Sequence, residues 1–138
     1  MWRLLLSSTL LLAVMVSGSS SFAADFQKGL NAAKSGDYVT ALKEWEPLAQ
    51  QGVARAQFAL GALYQDGHGV PQNYNTAVTW YTRAAKQGFA NAQSDLGRMY
   101  FKGLGVPQDY KITAKWFKLA AEQEFAQAQF NLGLLYSK

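Results

Sequence analysis

Apolar side chains recur at spacings of three and four residues along most of the chain, which is the pattern of amphipathic helices. In residues 54–64 the pattern consists of Ala56, Leu60, Leu63 and Tyr64. It returns in the corresponding residues of two further segments, each 36 residues beyond the one before. We therefore predict an all-α fold built from one repeated unit.

The repeat covers a whole unit of structure and not only one helix. Residues 54–89 and 90–125 are identical at 17 of 36 positions. In both copies the first helix ends at a Gly-x-Gly-Val-Pro segment, at 67–71 and 103–107, which predicts a turn before a second helix. We predict repeat units at about 25–53, 54–89 and 90–125, with a partial unit at 126–138.

A glycine stands in the middle of each predicted first helix, at Gly61, Gly97 and Gly133. Glycine inside a helix costs about 1 kcal/mol relative to alanine. We interpret these glycines as places where the paired helix comes close. In the second helices we expect Trp80 and Trp116 to fill the wedge between successive units.

Three motifs recur in register: A-x-A-Q-x-x-L-G-x-x-Y, G-x-G-V-P and W-aromatic-x-x-A-A. Together they resemble the Sel-one-like repeat family, a branch of the tetratricopeptide superfamily, over residues 25–138. The resemblance implies a right-handed α-solenoid of about seven helices in antiparallel pairs. It also implies a protein-interaction scaffold, of a kind often exported in bacteria.

The N-terminal segment has the composition of an export signal. Arg3 is its only charged residue, and residues 4–16 form a short apolar run. Ser21 and Ala23 fit the positions that signal peptidase reads. We predict cleavage after Ala23, leaving a periplasmic or secreted repeat domain at 24–138 with no stable membrane span. An uncleaved signal anchor is the alternative, although the run is short for a span.

Charge and cysteine content narrow the class of partner. The formal charge is +4 at pH 7, and loss of Arg3 would leave +3. This mild basicity is far below that of nucleic-acid-binding domains, so we predict no nucleic-acid partner. The chain has no cysteine, which excludes disulfides and a lipoprotein anchor.

Few residues could support catalysis or hold a metal. His68 is the only histidine and lies in a glycine-rich turn, where we expect a solvated position. No serine is followed three residues later by lysine, and the glycine-rich turns lack the Gly-Lys-Ser/Thr ending of a phosphate loop. We predict a protein that is not an enzyme, with no catalytic residue, metal or cofactor. Some cysteine-rich members of the resembled family have been associated with penicillin binding or β-lactamase activity. An envelope hydrolase is therefore kept as an alternative.

The candidate site comes from positions that differ between the copies. On the first helices these positions, which include Ser94, recur at offsets of three, four and seven, so we expect one exposed helical face. The resemblance implies that this face is concave and binds a protein or peptide partner. Aromatic and arginine side chains are favoured anchors at interfaces. The candidate partner-binding residues are Arg55, Phe58, Asp95, Arg98, Phe101, Phe130 and Leu134.

Two other interpretations of this face stay open. The variation can be drift on a solvated surface. The chain can also be a regulatory subunit that binds an envelope sensor through its convex face.

The last helix carries an apolar strip. Phe130 and Leu134 stand where the previous copy has Ser94 and Arg98. Exposed apolar patches mark interaction sites, so we predict self-association or partner docking through this helix. The alternative is a truncated gene whose last helix frays.

Overall fold

The computed structural model describes residues 21–123 and 126–137, and most of the predicted signal peptide therefore lies outside the described residues. Within the described ranges the chain forms seven helices and no strand. The helices are α1 (21–34), α2 (Tyr38–Gln50), α3 (Ala54–Asp66), α4 (Tyr74–Lys86), α5 (Ala90–Lys102), α6 (Tyr110–Glu122) and α7 (Ala126–Tyr136).

Each helix from α2 to α7 packs against its neighbours in the chain. The helices α1, α3, α5 and α7 are the first helices of successive units, and α2, α4 and α6 are the second helices. The predicted all-α solenoid of antiparallel helix pairs is confirmed.

Polar caps and glycines set the ends of the helices. The second helices begin after Asp37, Asn73 and Asp109, whose side-chain oxygens accept hydrogen bonds of 3.0–3.1 Å from the backbone N–H three residues later. Both α3 and α5 end at a glycine with φ of 69°, Gly67 and Gly103, a conformation that side chains with a Cβ disfavour. Helix boundaries therefore repeat because the capping residues repeat.

The turns between first and second helices also lock consecutive units together. A Cβ atom at Gly105 would lie 2.5 Å from the carbonyl carbon and oxygen of Tyr74, at the start of the previous second helix. A Cβ atom at the equivalent Gly69 would likewise lie 3.0 Å from atoms of Tyr38. Glycine is needed at these positions because the turn lies directly on backbone of the preceding unit.

The mid-helix glycines receive aromatic rings from the paired helix. A Cβ atom at Gly61 would lie 2.5 Å from the ring of Tyr81, and one at Gly97 would lie 2.5 Å from the ring of Phe117. The prediction of close approach is confirmed at both positions, and the approaching group is a ring. We call the space over each such glycine a ring seat.

The first and last units differ at this seat. Gly29 of α1 has a filled seat, with the indole of Trp45 against it. Gly133 of α7 has no described heavy atom within 4 Å of where its Cβ would be. The expectation of close packing at Gly133 is therefore wrong. The ring that fills a seat comes from the helix after the glycine, and no helix follows α7 among the described residues.

Buried glutamines join one unit to the next. Gln57 Nε2 donates to the carbonyl oxygen of Ala49 at 3.0 Å, and Gln87 Nε2 donates to Gln57 Oε1 at 2.9 Å. Gln93 and Gln123 repeat this arrangement one unit later. Gln57 and Gln93 are each 4% exposed, and their amides donate to carbonyls of the buried Ala49 and Ala85 that also accept from the N–H of Gly52 and Gly88.

The tryptophans lie at the junctions between units, as expected. Trp116 of α6 is buried in the apolar cluster of α4 and α5, and half-buried Trp80 of α4 packs against the cluster of α2 and α3. Each second helix thus contributes apolar area to the unit before it, which makes the core continuous along the array.

Candidate interaction groove

Two adjacent cavities lie among the first helices. The cavity between α3 and α5 has a volume of about 220 Å³ and is lined by Gln65, Asp66, Gln72, Tyr74, Arg98, Met99, Lys102 and Leu104. The cavity between α5 and α7 has a volume of about 290 Å³ and is lined by Arg98, Phe101, Lys102, Phe117, Asn131, Leu134 and Leu135. Arg98 and Lys102 line both, so we treat the two cavities as one surface and call it the groove.

The middle of the groove is basic. Arg98 and Lys102 are four residues apart on α5, which places them on one side of the helix. Arg98 Nη2 lies 3.3 Å from Asp95 Oδ1, and the arginine side chain remains 45% exposed. Among the described residues, the exposed Lys102 has no ion pair. Its ammonium group is therefore available to an acidic ligand.

The half-buried Asp95 of α5 lies beside the groove and carries an acidic group. Burial raises the pKa of the Asp95 carboxyl, the positive charge of Arg98 opposes this shift, and the negative charge of Asp66 adds to it. Burial also raises the pKa of Tyr81 far above its ordinary value, with Asp95 and Asp66 adding to the effect. The Tyr81 hydroxyl stays protonated and donates to Gln65 Oε1 at 2.9 Å, which ties α4 to the groove end of α3.

The α7 end of the groove is apolar. Phe101, Leu134 and Leu135 line it together with the ring of Phe117, which also fills the seat at Gly97. Phe101 is half-buried, and its ring centroid lies 5.4 Å from that of Tyr110. The same packing that completes the α5/α6 pair therefore forms one wall of the cavity.

The predicted site residues fall into three groups. Arg98, Phe101 and Leu134 line the groove, and Asp95 pairs with Arg98 beside it. Arg55 lies elsewhere, because its guanidinium carbon is 4.3 Å above the ring centroid of Phe26 in α1. The remaining two residues, Phe58 and Phe130, are equivalent in the repeat but differ in surroundings.

The predicted single exposed face needs correction. Phe58 is half-buried, with its ring centroid 5.7 Å from that of Tyr81 and 5.4 Å from that of Phe89. Ser94, at the same place in the next unit, is 2% exposed. Phe58 packs against the paired helix α4 and Ser94 is buried, so the expectation that they are exposed is wrong. Phe101, also expected to be exposed, is half-buried by its contact with Tyr110.

Phe130 does have the predicted exposure. It is 62% exposed, and Leu134 is 51% exposed. Phe130 occupies the same place in the repeat as Phe58 and Ser94, but no described helix covers it. Whether α7 mediates self-association stays a prediction.

Asp66 and Lys102 are among the groove residues that the sequence analysis missed. They are the last residues of α3 and α5 and stand at the same repeat position with opposite charges. Lys102 also follows Arg98 by one helical turn. Both features can be read from the sequence, but the variable positions that we compared end at Gln65 and Phe101, one residue before Asp66 and Lys102.

Other candidate chemistry lies outside the groove. The imidazole of His68 is exposed and stacks on the ring of Tyr38, with centroids 4.3 Å apart. Within residues 21–123 and 126–137, no three histidine, aspartate or glutamate side chains are grouped as metal ligands. No helix in these ranges has the length and apolar character needed to cross a membrane.

Comparisons with known proteins identify the same repeat units. A family model described as the Sel1 repeat matches residues 54–89, 90–125 and 126–138. The chain is 37% identical to a Sel1 repeat protein from Oxalobacter formigenes, over 80% of this chain and 45% of that one, with a TM-score of 0.77. It is 36% identical to a protective antigen of uropathogenic Escherichia coli strains that displays an SLR fold, over 88% of this chain and 27% of that one, with a TM-score of 0.80. The chain thus spans less than half the length of either protein. No curated protein matches.

Proposed function

Because the chain belongs to the Sel1 repeat family, whose members generally bind protein partners, we propose that it is an exported scaffold that binds a protein segment in the groove. It catalyses no reaction in this proposal. The observation that carries the proposal is the position of Arg98 and Lys102, which line both cavities beside an apolar wall.

The groove chemistry favours a particular kind of segment. The cavity of about 290 Å³ between α5 and α7 can take one large apolar side chain. The Lys102 ammonium at its edge would pair with a carboxylate one or two residues away on the same segment. Contact with a buried apolar anchor supplies affinity, and the charge pair supplies orientation and specificity. The proposed ligand is therefore an extended segment that combines acidic and large apolar residues.

Repetition supports an extended ligand over a compact one. The groove draws most of its lining from α3, α5 and α7, which belong to three successive units. Solenoids offer continuous surfaces of this kind because each unit contributes the same helix to the same side. The residues on this surface differ from copy to copy, so successive positions of the ligand would meet different side chains.

Selection from a random peptide library on the purified protein tests the proposal. We expect selected peptides to place an acidic residue near a large apolar one. Lys102→Ala and Leu134→Arg should each weaken binding about tenfold or more, which corresponds to about 1.4 kcal/mol. Isothermal titration with one selected peptide would measure both losses.

Lys118→Ala is the matched control, since Lys118 is an exposed lysine on the second helix α6. It should leave binding unchanged. The groove proposal would be wrong if the selected peptides bound both groove variants as tightly as the wild type. Loss of binding only in Lys118→Ala would instead favour the outer face of the second helices.

Export is part of the proposal and has its own test. The predicted cleavage site after Ala23 should give a mature N-terminus at Ala24. Mass spectrometry of protein recovered from the cell envelope or medium would detect this species. Recovery of envelope protein with Met1 intact would support a signal anchor in place of cleavage.

A further inference from the structure

Among the described residues, no paired helix covers the outer side of α7. Phe130 is 62% exposed. The ring seat at Gly133 is empty, because no heavy atom of the described residues lies within 4 Å of where its Cβ atom would be. No residue of Ala126–Tyr136 is charged, so a second helix could approach without desolvating an ion.

The internal pairs show how such a surface is covered. In the α3/α4 pair Gly61 faces the ring of Tyr81. Because the two helices are antiparallel, the residue three before Gly61 lies opposite the residue three after Tyr81. By this register Phe58, whose ring also lies beside those of Tyr81 and Phe89, falls opposite Ala84, which is completely buried. The register thus sets a ring opposite a small residue at two places, three residues apart and in opposite directions.

The α5/α6 pair keeps this register with a smaller residue on the first helix. Gly97 faces the ring of Phe117, and the same register sets the buried Ser94 opposite the buried Ala120. A first helix thus supplies the glycine, and the second helix supplies an aromatic residue followed three residues later by alanine.

Helix α7 contains both halves of this pattern. It has an aromatic residue, Phe130, followed three residues later by a small one, Gly133. Two α7 helices related by a two-fold axis perpendicular to them are antiparallel, and such an axis midway between positions 130 and 133 places each phenylalanine opposite the other copy's glycine. We propose that α7 joins two copies of this chain in this way, with each Phe130 entering the ring seat of the second copy.

This interface continues the helix pairing of the array and leaves the groove free. Asn131, Leu134 and Leu135 line the groove, whereas Phe130 and Gly133 do not. The proposal therefore does not depend on what the groove binds. A contact limited to about three helical turns is small, so we expect a weak, concentration-dependent dimer.

Sedimentation equilibrium of the purified protein, from about 10 μM to about 1 mM, tests the proposal. The wild type should shift from one to two protomers over this range. Phe130→Ala leaves both seats without a ring, and Gly133→Phe sets ring against ring, so each variant should remain monomeric.

An equimolar mixture of these two variants is the decisive sample. The Phe130→Ala copy then presents alanine at position 130 and glycine at position 133, whereas the Gly133→Phe copy presents phenylalanine at both positions. Each phenylalanine of the second copy therefore lies opposite a small residue of the first. The mixture should form a heterodimer although neither variant dimerises alone. The double variant Phe130→Ala with Gly133→Phe should also dimerise.

Arg98→Ala, in the groove, should dimerise like the wild type. Circular dichroism shows whether each variant keeps its helical content. A wild type that stays monomeric to about 1 mM would overturn the proposal, as would a dimer that survives both single changes. A mixture that stays monomeric would overturn the register and with it the pairing of Phe130 with Gly133.

Discussion

Helices α5 and α7 occupy the same place in the repeat but have different surroundings. In α5 the seat at Gly97 holds the ring of Phe117 and Ser94 is buried, whereas in α7 the seat at Gly133 is open and Phe130 is exposed. The difference comes from α6, which covers α5 from the side that no described helix covers on α7. The role of a repeat position is therefore set by its paired helix as well as by its own residue type.

The largest expected effect is at the ring seats. Gly61→Leu places a side chain where Tyr81 already lies, so we expect a loss of about 1–3 kcal/mol in the free energy of unfolding from overpacking. Urea denaturation at low protein concentration would measure it. Gly133→Leu is the matched change in an open seat.

At Gly133 the leucine should leave stability unchanged or raise it by up to about 1 kcal/mol, because leucine favours the helix more than glycine does. Equal losses at the two positions would mean that the seat at Gly133 is covered in solution. No loss at Gly61 would mean that Tyr81 does not pack there.

The fold was predictable from positions that agree between copies. The resemblance to the Sel-one-like repeat family, the helix pairs and the packing role of Gly61 and Gly97 are confirmed because the same residues meet the same neighbours in each unit. The expectation failed at Gly133 because the identity of a residue between copies does not show whether an aromatic ring packs against it.

The site was predictable only in part. Arg98, Phe101 and Leu134 were found because they vary between copies on one side of the helix. Phe58 was misplaced because residues four apart differ by only about 40° around a helix. This small angle is enough to place one residue on the groove side and the other on the side of the paired helix. The spacing of apolar residues in the sequence is too coarse to distinguish the two sides.

The next effect concerns the glutamines that join the units. Gln93 is buried and donates to the carbonyl oxygen of Ala85 at 3.1 Å, whereas the equivalent Gln129 is exposed and donates to Ala121 at 3.3 Å. Gln93→Ala should cost about 1–2 kcal/mol because it removes two hydrogen bonds of a buried side chain, one to the carbonyl oxygen of Ala85 and one from Nε2 of Gln123. Gln129→Ala should cost less than about 1 kcal/mol, since water can replace its bond. Similar losses in thermal unfolding of the two variants would contradict the difference in burial.

The smallest expected effect depends on pH. The raised pKa of Asp95 means that the folded protein holds this proton more tightly than the unfolded chain, so stability falls as pH rises through the acidic range. Asp95→Asn removes this loss, and asparagine already occupies the equivalent position at Asn131. The variant should gain in thermal midpoint relative to the wild type at pH 7, and the gain should shrink toward pH 4.

Glu46→Gln, at an exposed carboxylate on α2, is the control. A gain for Asp95→Asn that is the same at both pH values would show that the carboxyl of Asp95 titrates normally.

The central claim is that α5 is covered by its paired helix whereas α7 is open until a second copy covers it. Hydrogen–deuterium exchange of peptides from residues 90–102 and 126–136, followed over a dilution series, tests this claim most directly. We predict protection of α5 that is independent of concentration, and protection of α7 that rises with concentration in the wild type and not in Phe130→Ala. Protection of α7 equal to that of α5 at the highest dilution would contradict the account.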